Sequence, residues 1–135
     1  RHQREVLTRH LLRRSVILRR DTVGFFARAV ADLARDRRAL APVDRRRFPA
    51  EMHINLMPAA RGRGLGAELV DALFDQLSDL RVPGIHLGTF GENTGAIAFF
   101  ESRGFFAVGP AVPNPGFRLA DGSRATVRRF CRSLA

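Results

Sequence analysis

The sequence predicts an α/β (α+β) domain in which helices flank a mixed central sheet. Residues 51–56 alternate between polar and apolar side chains, which is the period of a half-buried strand. A loop rich in glycine and arginine follows at 61–66, and apolar residues then recur at helical spacing as far as Leu77. Further strand-like runs lie at 85–89 and 125–133, so strands and helices are interleaved along the chain.

The composition predicts one domain with a substantial core, because the chain has 135 residues and is 45% hydrophobic. No run approaches 18 apolar residues and no secretory signal is visible, so we expect no membrane partner. The single cysteine, Cys131, cannot form an internal disulfide and fits a reducing compartment. These features predict a cytoplasmic protein.

Positive charge is concentrated in the first third of the chain. Residues 1–48 hold 14 Arg against 5 acidic residues, whereas residues 49–135 hold 9 Arg against 8 acidic residues. The arginines surround apolar stripes and are not interleaved with aromatic residues, which favours a solvated helix face over a nucleic-acid site. An apolar stripe without a core would pack on another copy or domain, so a homodimer is one predicted assembly.

We divide the chain into an Arg-rich helical segment, 1–48, and a core, 49–135. In the first segment, one helix is predicted over 3–14. A second begins at Asp21 or Thr22 as the N-cap and ends near Asp36.

The second half of the chain continues with a strand over 85–89 and a helix over 94–103. Asn93 is the predicted N-cap of this helix, and Gly104 is placed to end it as C′.

A hairpin is predicted at the end of the chain. A strand over 105–108 is followed by a proline-rich loop over 110–115, and two strands over 117–119 and 125–133 then flank a turn at Asp121.

The loop over 61–66 has the properties of a cradle for a pyrophosphate. Its glycines let the backbone turn tightly and approach a ligand closely. The first N–H groups of the following helix are unpaired, and the helix dipole favours negative charge at that end. Arg61 and Arg63 add mobile positive charge.

Two signatures of the GNAT superfamily of N-acetyltransferases are matched in the right order. Motif A of that superfamily, (hydrophobic)-x-P-x-x-[RQ]-x-x-G-x-[GA], is matched by Leu56, Pro58, Arg61, Gly64 and Gly66. Residues 92–105 resemble its second signature, N-x-x-A-x-x-[FY]-Y-x-x-x-G-F. The resemblance covers about residues 48–135. The strands that open the superfamily's fold are not identifiable. Either they are absent from this chain, which we expect, or the first third is an unusual helical insertion.

The resemblance implies the acyl-CoA N-acyltransferase fold and transfer of an acetyl group from acetyl-CoA to a primary amine. The acceptor amine attacks directly in a ternary complex, and no metal is implied. The strand before motif A and the strand over 85–89 are expected to splay apart around the pantetheine arm. The implied cofactor-binding residues are Leu56, Met57, Arg61, Gly62, Arg63, Gly64, Leu65, Gly66, Asn93, Phe99 and Phe100.

The implied catalytic residues are Glu51, His53 and Asn55, which share one face of the motif-A strand by alternation. An imidazole accepts a proton near neutrality, so His53 is either the general base or a half-buried structural histidine. Glu51 would act with a raised proton affinity or through water. His86, on the neighbouring strand, is interpreted as structural.

Phe100 stands where the superfamily commonly has a tyrosine near the departing thiolate. Residues 48–54 also resemble acetyltransferase-like domains attached to some O-GlcNAc hydrolases. The alternative function is therefore a catalytically weak or inactive domain that binds CoA or mediates an interaction.

A dinucleotide fingerprint, G-x-G-x-x-[GA], is an alternative interpretation of Gly62, Gly64 and Ala67. Under this interpretation, the matches of Pro58 and of the second signature to the GNAT patterns would be coincidences. The pattern therefore favours the CoA-type site.

Overall fold

The computed structural model describes residues 20–36 and 41–134. Its four strands form one mixed sheet in the order β1-β2-β4-β3, in which β1 is parallel to β2 and β2 is antiparallel to β4. None of the described helices is long and apolar enough to cross a membrane. In chain order the elements are α1 (Arg20–Arg35), β1 (Ala50–Glu51), a 3₁₀ turn (Pro58–Ala60), α2 (Leu65–Asp79), β2 (Gly84–Phe90), α3 (Thr94–Ser102), β3 (Phe106–Arg118) and β4 (Arg124–Ser133).

The described chain falls into two compact units. The first comprises residues 20–36 and 113–125, and the second comprises 41–112 and 126–134. The division at residue 48 remains a prediction, and the helix predicted over 3–14 lies outside the described residues. Between residue 20 and β1, the described residues include no strand.

In the first unit, a buried carboxylate joins α1 to the hairpin end. Asp32 is 2% exposed. It accepts hydrogen bonds of 2.7 and 2.8 Å from Arg118 and one of 3.0 Å from the Gly116 N–H. The Arg118 hydrogen bonds, followed by the Gly116 N–H, hold the pKa of Asp32 well below its usual range. Phe25 packs edge-to-face on Phe117 beside this pair, with ring centroids 5.3 Å apart.

In the second unit, one hydrophobic core lies between the sheet and helices α2 and α3. Helix α2 contributes the side chains that its helical spacing predicts, and β2 contributes alternate residues. The buried members of this core are Met52, Val70, Phe74, Ile85, Leu87, Phe100, Phe105 and Phe130.

The elements that follow the glycine loop confirm their predictions. Helix α2 begins at Leu65, and β2 covers the predicted 85–89. Asn93 caps α3 through a 3.1 Å hydrogen bond from the Ala96 N–H to Oδ1. Gly104 follows α3 with φ 78°, as a C′ glycine does.

The proline-rich loop predicted over 110–115 is wrong, because this segment belongs to the 13-residue strand β3. In the strand order, β3 lies at the edge of the sheet. An edge strand tolerates proline because one side of it needs no N–H donor. Gly109 and Gly116 have φ values of 70° and 82°, so the strand departs from regular extended geometry at both glycines.

We predict that Gly84→Ala destabilises the protein by about 1–3 kcal/mol through overpacking. A Cβ at Gly84 would lie 2.5 Å from the Arg47 carbonyl oxygen and 2.6 Å from Phe48 Cδ1. Gly88 on the same strand is the matched control, since a Cβ there meets its nearest atom at 3.8 Å. Urea unfolding measures both variants, and equal losses of the free energy of unfolding would contradict the prediction.

We also predict that Asp32→Asn lowers the melting temperature at pH 7 and that the difference from wild type shrinks on acidification. The pKa of Asp32 is lowered in the folded protein by the hydrogen bonds from Arg118, so its carboxylate stabilises the fold above the ordinary Asp pKa of about 3.9. That stabilisation is lost as the pH falls below this value. Thermal melts between pH 7 and pH 3 test this, with Asp75→Asn on the exposed surface of α2 as the control.

Candidate functional site

The gap between β1 and β2 opens immediately after two residue pairs. The parallel ladder joins Ala50 to Ile85 and Glu51 to His86, and the Met52 N–H then donates to the His86 carbonyl at 3.0 Å. Strand β2 continues to Phe90, and over this stretch β4 is its paired strand. Within the described residues, no backbone hydrogen bond joins 53–57 to β2.

The predicted motif-A strand is therefore shorter than its sequence pattern. Only Ala50–Glu51 is strand, although the alternation of burial continues through Leu56. Met52 is buried and Ile54 is half-buried, whereas His53 is exposed. The side-chain pattern persists because the chain stays extended, while the ladder ends because the chain leaves β2.

The loop after the 3₁₀ turn depends on two glycines in the left-handed region. Gly62 has φ 71° and Gly64 has φ 80°, a conformation that side chains rarely adopt. Gly64 is also the N-cap of α2, where its carbonyl accepts from the Ala67 and Glu68 N–H groups at 2.8 and 3.1 Å. These conformations turn the chain from the 3₁₀ turn into the helix.

The five backbone N–H groups of residues 62–66 have no acceptor among the described residues. On one side the Arg61 N–H donates to the Pro58 carbonyl at 3.2 Å, and on the other the Ala67 N–H donates to Gly64. The free donors are therefore consecutive, and they stand at the start of a 15-residue helix. Unpaired N–H groups and the helix dipole together favour an anion at this point.

Arg61 has a second contact that sequence reasoning did not predict. Its Nε donates to the Leu56 carbonyl at 3.1 Å, which ties the loop back to the end of the extended segment. Arg63 is exposed on the same loop.

Gly66 acts through packing. A Cβ there would lie 3.1 Å from Leu56 Cδ1 and 3.8 Å from Phe99 Cζ. The missing side chain lets the extended segment and α3 approach α2 closely.

A cleft of about 750 Å³ lies beside this loop, between the extended segment, α2 and α3. No acidic side chain is among its lining residues, whereas Arg61 and Arg103 are. Arg103 is paired with Asp71, so Arg61 and the loop N–H groups are the groups that favour an anionic ligand. The lining residues are Ile54, Asn55, Leu56, Ala60, Arg61, Gly62, Gly64, Gly66, Ala67, Asn93, Gly95, Ala96, Phe99, Phe100, Ser102 and Arg103.

The cleft brings together most of the residues assigned to the cofactor from sequence. Those that line it are Leu56, Arg61, Gly62, Gly64, Gly66, Asn93, Phe99 and Phe100. Met57, Arg63 and Leu65 are exposed and are not among the lining residues.

Of the three residues assigned to catalysis, Asn55 lines the cleft, and Glu51 and His53 do not. Glu51 instead lies beside His86, with 3.7 Å between Oε2 and Nε2. His86 is buried, and its Nδ1 is 2.9 Å from the Phe48 carbonyl oxygen.

Sequence reasoning missed several lining residues. Gly95 and Ala96 could have been found, because they lie on the first turn of α3, two and three residues after the N-cap Asn93. No feature of the sequence predicted that Arg103 lines the cleft. Its Nη1 is 2.8 Å from both carboxylate oxygens of Asp71, and its guanidinium lies 5.9 Å from the Phe99 ring centroid.

Phe100 both lines the cleft and belongs to the core, since it is 7% exposed. Its ring packs edge-to-face on Phe99 and Phe105, with centroids 5.4 and 5.6 Å away. It brings no proton donor to the cleft. Across residues 20–36 and 41–134, no group of three or more His, Cys, Asp or Glu side chains is placed to hold a metal ion.

Solved structures of N-acetyltransferases are among those that resemble this fold. The ribosomal-protein-S18-alanine N-acetyltransferase from Escherichia coli is 27% identical, with a TM-score of 0.55 over 63% of this chain and 55% of that one. Spermidine/spermine N-acetyltransferase SpeG from Vibrio cholerae is 25% identical, with a TM-score of 0.52 over 62% and 48%. A Salmonella typhimurium protein solved with its cofactor acetyl-CoA is 24% identical, with a TM-score of 0.55 over 63% and 47%, a likeness that shows the fold alone.

The chain spans about half the length of each of these structures. The sequence model of the Acetyltransferase (GNAT) family matches residues 17–105, which include the extended segment, the glycine loop, α2, β2 and α3. The match also includes α1, in the part of the chain that the two signatures do not cover. The chain belongs to the GNAT acetyltransferase family.

Proposed function

We propose that this domain transfers an acetyl group from acetyl-CoA to a primary amine by direct attack in a ternary complex. The observation that carries the proposal is the row of five unpaired N–H groups, residues 62–66, at the edge of a cleft without acidic side chains. Such a row suits a diphosphate, because each N–H can donate to a phosphate oxygen without first breaking a protein hydrogen bond.

The remaining parts of acetyl-CoA have matching groups in the cleft. Beyond the diphosphate, the extended residues 53–57 present backbone to the gap beside β2, where an amide-bearing chain could bond as an added strand does. The Leu56 carbonyl already accepts from Arg61 Nε, and the Met57 carbonyl already accepts from the Ala60 N–H. The backbone N–H groups of Leu56 and Met57 are therefore freer than their carbonyls to bond to the ligand. Phe99 and Asn93 would contact the ligand from α3.

When bound, acetyl-CoA supplies an activated thioester. The residues of this chain would position the acceptor beside it and remove a proton from the acceptor ammonium. Glu51 and His53 are the proposed proton acceptors, and the Asn55 amide would help to position the acceptor by hydrogen bonding. All three side chains are exposed on the extended segment.

The names of two relatives support an amine acceptor. One acts on an alanine of ribosomal protein S18 and the other on spermidine or spermine. Both act at nitrogen, and the acceptor class proposed for this chain is taken from them.

Self-association belongs to the same proposal. Helix α1 exposes four apolar side chains at helical spacing, and a spermidine N-acetyltransferase from Vibrio cholerae with a TM-score of 0.53 is dodecameric. The four residues are Val23, Phe26, Val30 and Leu33.

The second candidate function is a CoA-binding or interaction domain with weak or no catalysis. Phe100 favours it, because a phenyl ring cannot protonate a departing thiolate.

We predict that Gly62→Ala weakens acetyl-CoA binding about tenfold. The substitution strains a left-handed residue inside the row of free N–H groups and shifts those groups. Gly122→Ala is the matched control, since that glycine also has a positive φ, 83°, and open space around a built Cβ. Titration calorimetry measures both variants, and equal affinities in the two would count against the cradle.

We predict that Phe100→Tyr raises the turnover number about tenfold or more, because it restores a proton donor beside the leaving sulfur. Phe106→Tyr adds the same hydroxyl to an exposed ring of β3 and serves as the control. Steady-state assays with a panel of amines measure the effect. Unchanged turnover in Phe100→Tyr would show that the thiolate leaves without help from this position.

A further inference from the structure

Glu51 and His86 occupy a special position in the sheet. They are the last pair of the β1–β2 ladder, and the gap between the two strands opens directly after them. Paired residues of neighbouring strands point to the same face, so both side chains lie on one side of the sheet at the apex of the gap. Residues 52–56 then span about 13 Å at 3.3 Å per residue, from this apex to the turn that leads into the glycine loop.

The hydrogen bonds of His86 fix which ring nitrogen carries its proton. Nδ1 lies 2.9 Å from the Phe48 carbonyl oxygen, and a carbonyl can only accept, so Nδ1 carries the hydrogen. In the neutral ring, Nε2 therefore has a lone pair, and it faces Glu51 Oε2 at 3.7 Å. This separation is longer than a hydrogen bond, so the two atoms can share a proton only when the exposed Glu51 side chain moves closer.

The two members of the pair differ in access to solvent. The His86 side chain is 3% exposed, whereas the Glu51 side chain is 66% exposed. Glu51 can therefore meet an acceptor molecule, and His86 can reach one only through Glu51. A base buried behind an exposed carboxylate is suited to share a proton that the carboxylate collects.

Few other titrating groups lie on this face near His86. Cys131 is its partner on β4, and burial raises the pKa of that thiol, so it stays neutral. Arg129, two residues earlier on β4, donates to the Ala41 carbonyl at 2.6 Å. Arg47 lies over the Phe48 ring, 5.5 Å from its centroid. Of the described carboxylates, Glu51 is the one paired with His86.

We propose that Glu51 and His86 act as one proton-accepting pair, in which Glu51 takes a proton from the acceptor ammonium and His86 Nε2 shares it. This inference rests on the proposed function and identifies its general base. Glu51 is the catalytic residue, and His86 is a positioning residue that acts through it.

The proton balance of the reaction fits such a pair. A carbon–nitrogen bond forms as the carbon–sulfur bond of the thioester breaks. One proton of the ammonium passes to the pair and then to solvent, and a second passes through water to the departing sulfur. The products are the amide, the thiol and one released proton.

The first test is the pH dependence of kcat/KM in wild type, Glu51→Gln and His86→Asn. The amide group that His86→Asn introduces can still donate to the Phe48 carbonyl, so this substitution removes Nε2 but retains the buried hydrogen bond. We expect losses of about 100-fold for Glu51→Gln and about tenfold for His86→Asn. Two residues that share a proton titrate as a unit, so the acid limb of the kcat/KM profile should move when His86→Asn removes one of them.

The double variant separates a pair from two independent residues. If they act as a unit, Glu51→Gln combined with His86→Asn loses no more than Glu51→Gln alone. A purely structural His86 would lower the rate equally at every pH and leave the acid limb in place, which would overturn the proposal. The proposal would also be overturned if the loss of kcat/KM in the double variant equalled the product of the losses in the two single variants.

A second readout does not depend on acetyl transfer. The ¹⁵N chemical shift of His86 Nε2 is followed from pH 4 to 9 in wild type and in Glu51→Gln. Proton sharing predicts that the midpoint of this titration differs between the two proteins. Identical midpoints overturn the pair whether or not the wild type transfers acetyl groups, while inactivity with a shifted midpoint counts against the proposed function alone.

Discussion

The parallel ladder between β1 and β2 is two residue pairs long, and the gap between the two strands opens where it stops. Ala50 and Glu51 bond to β2, which continues on β4 as far as Phe90. The chain beyond Met52 remains extended but leaves its neighbour, so its backbone faces a gap. An extended backbone beside a gap can bind a ligand that carries amide groups, and the geometry of such a site is set by the sheet itself.

The glycine loop completes the site by leaving donors unpaired. Five consecutive N–H groups at the start of α2 have no acceptor in the described structure, and water or an anion must satisfy them. The left-handed φ values of Gly62 and Gly64 shape this row, while Gly66 makes room for Leu56 and Phe99. Arg61, held by the Leu56 carbonyl, links the row to the extended segment. The row of N–H groups therefore lies at one end of the extended segment, and the gap beside β2 begins at the other.

Local rules predicted the elements whose causes are local. The N-cap Asn93, the C′ glycine Gly104 and the apolar spacing of α2 each act within a few residues, and the structure has all three. The rules failed for β3, because a proline breaks a strand only where its N–H is needed. Whether it is needed depends on which side of the strand has a neighbour. The length of β1 was overestimated for a related reason, since alternation reports burial and not pairing.

The sequence by itself determined the family, the position of the glycine loop and most of the residues that line the cleft, because glycine conformations and helix starts are encoded locally. It also placed Glu51, His53 and Asn55 on one side of the extended segment. Only the tertiary structure decided that Asn55 reaches the cleft and that Glu51 faces His86. The contact between Glu51 and His86 depends on the register between β1 and β2, which pairs residues 35 positions apart in the chain. The sequence of either strand alone does not predict that register.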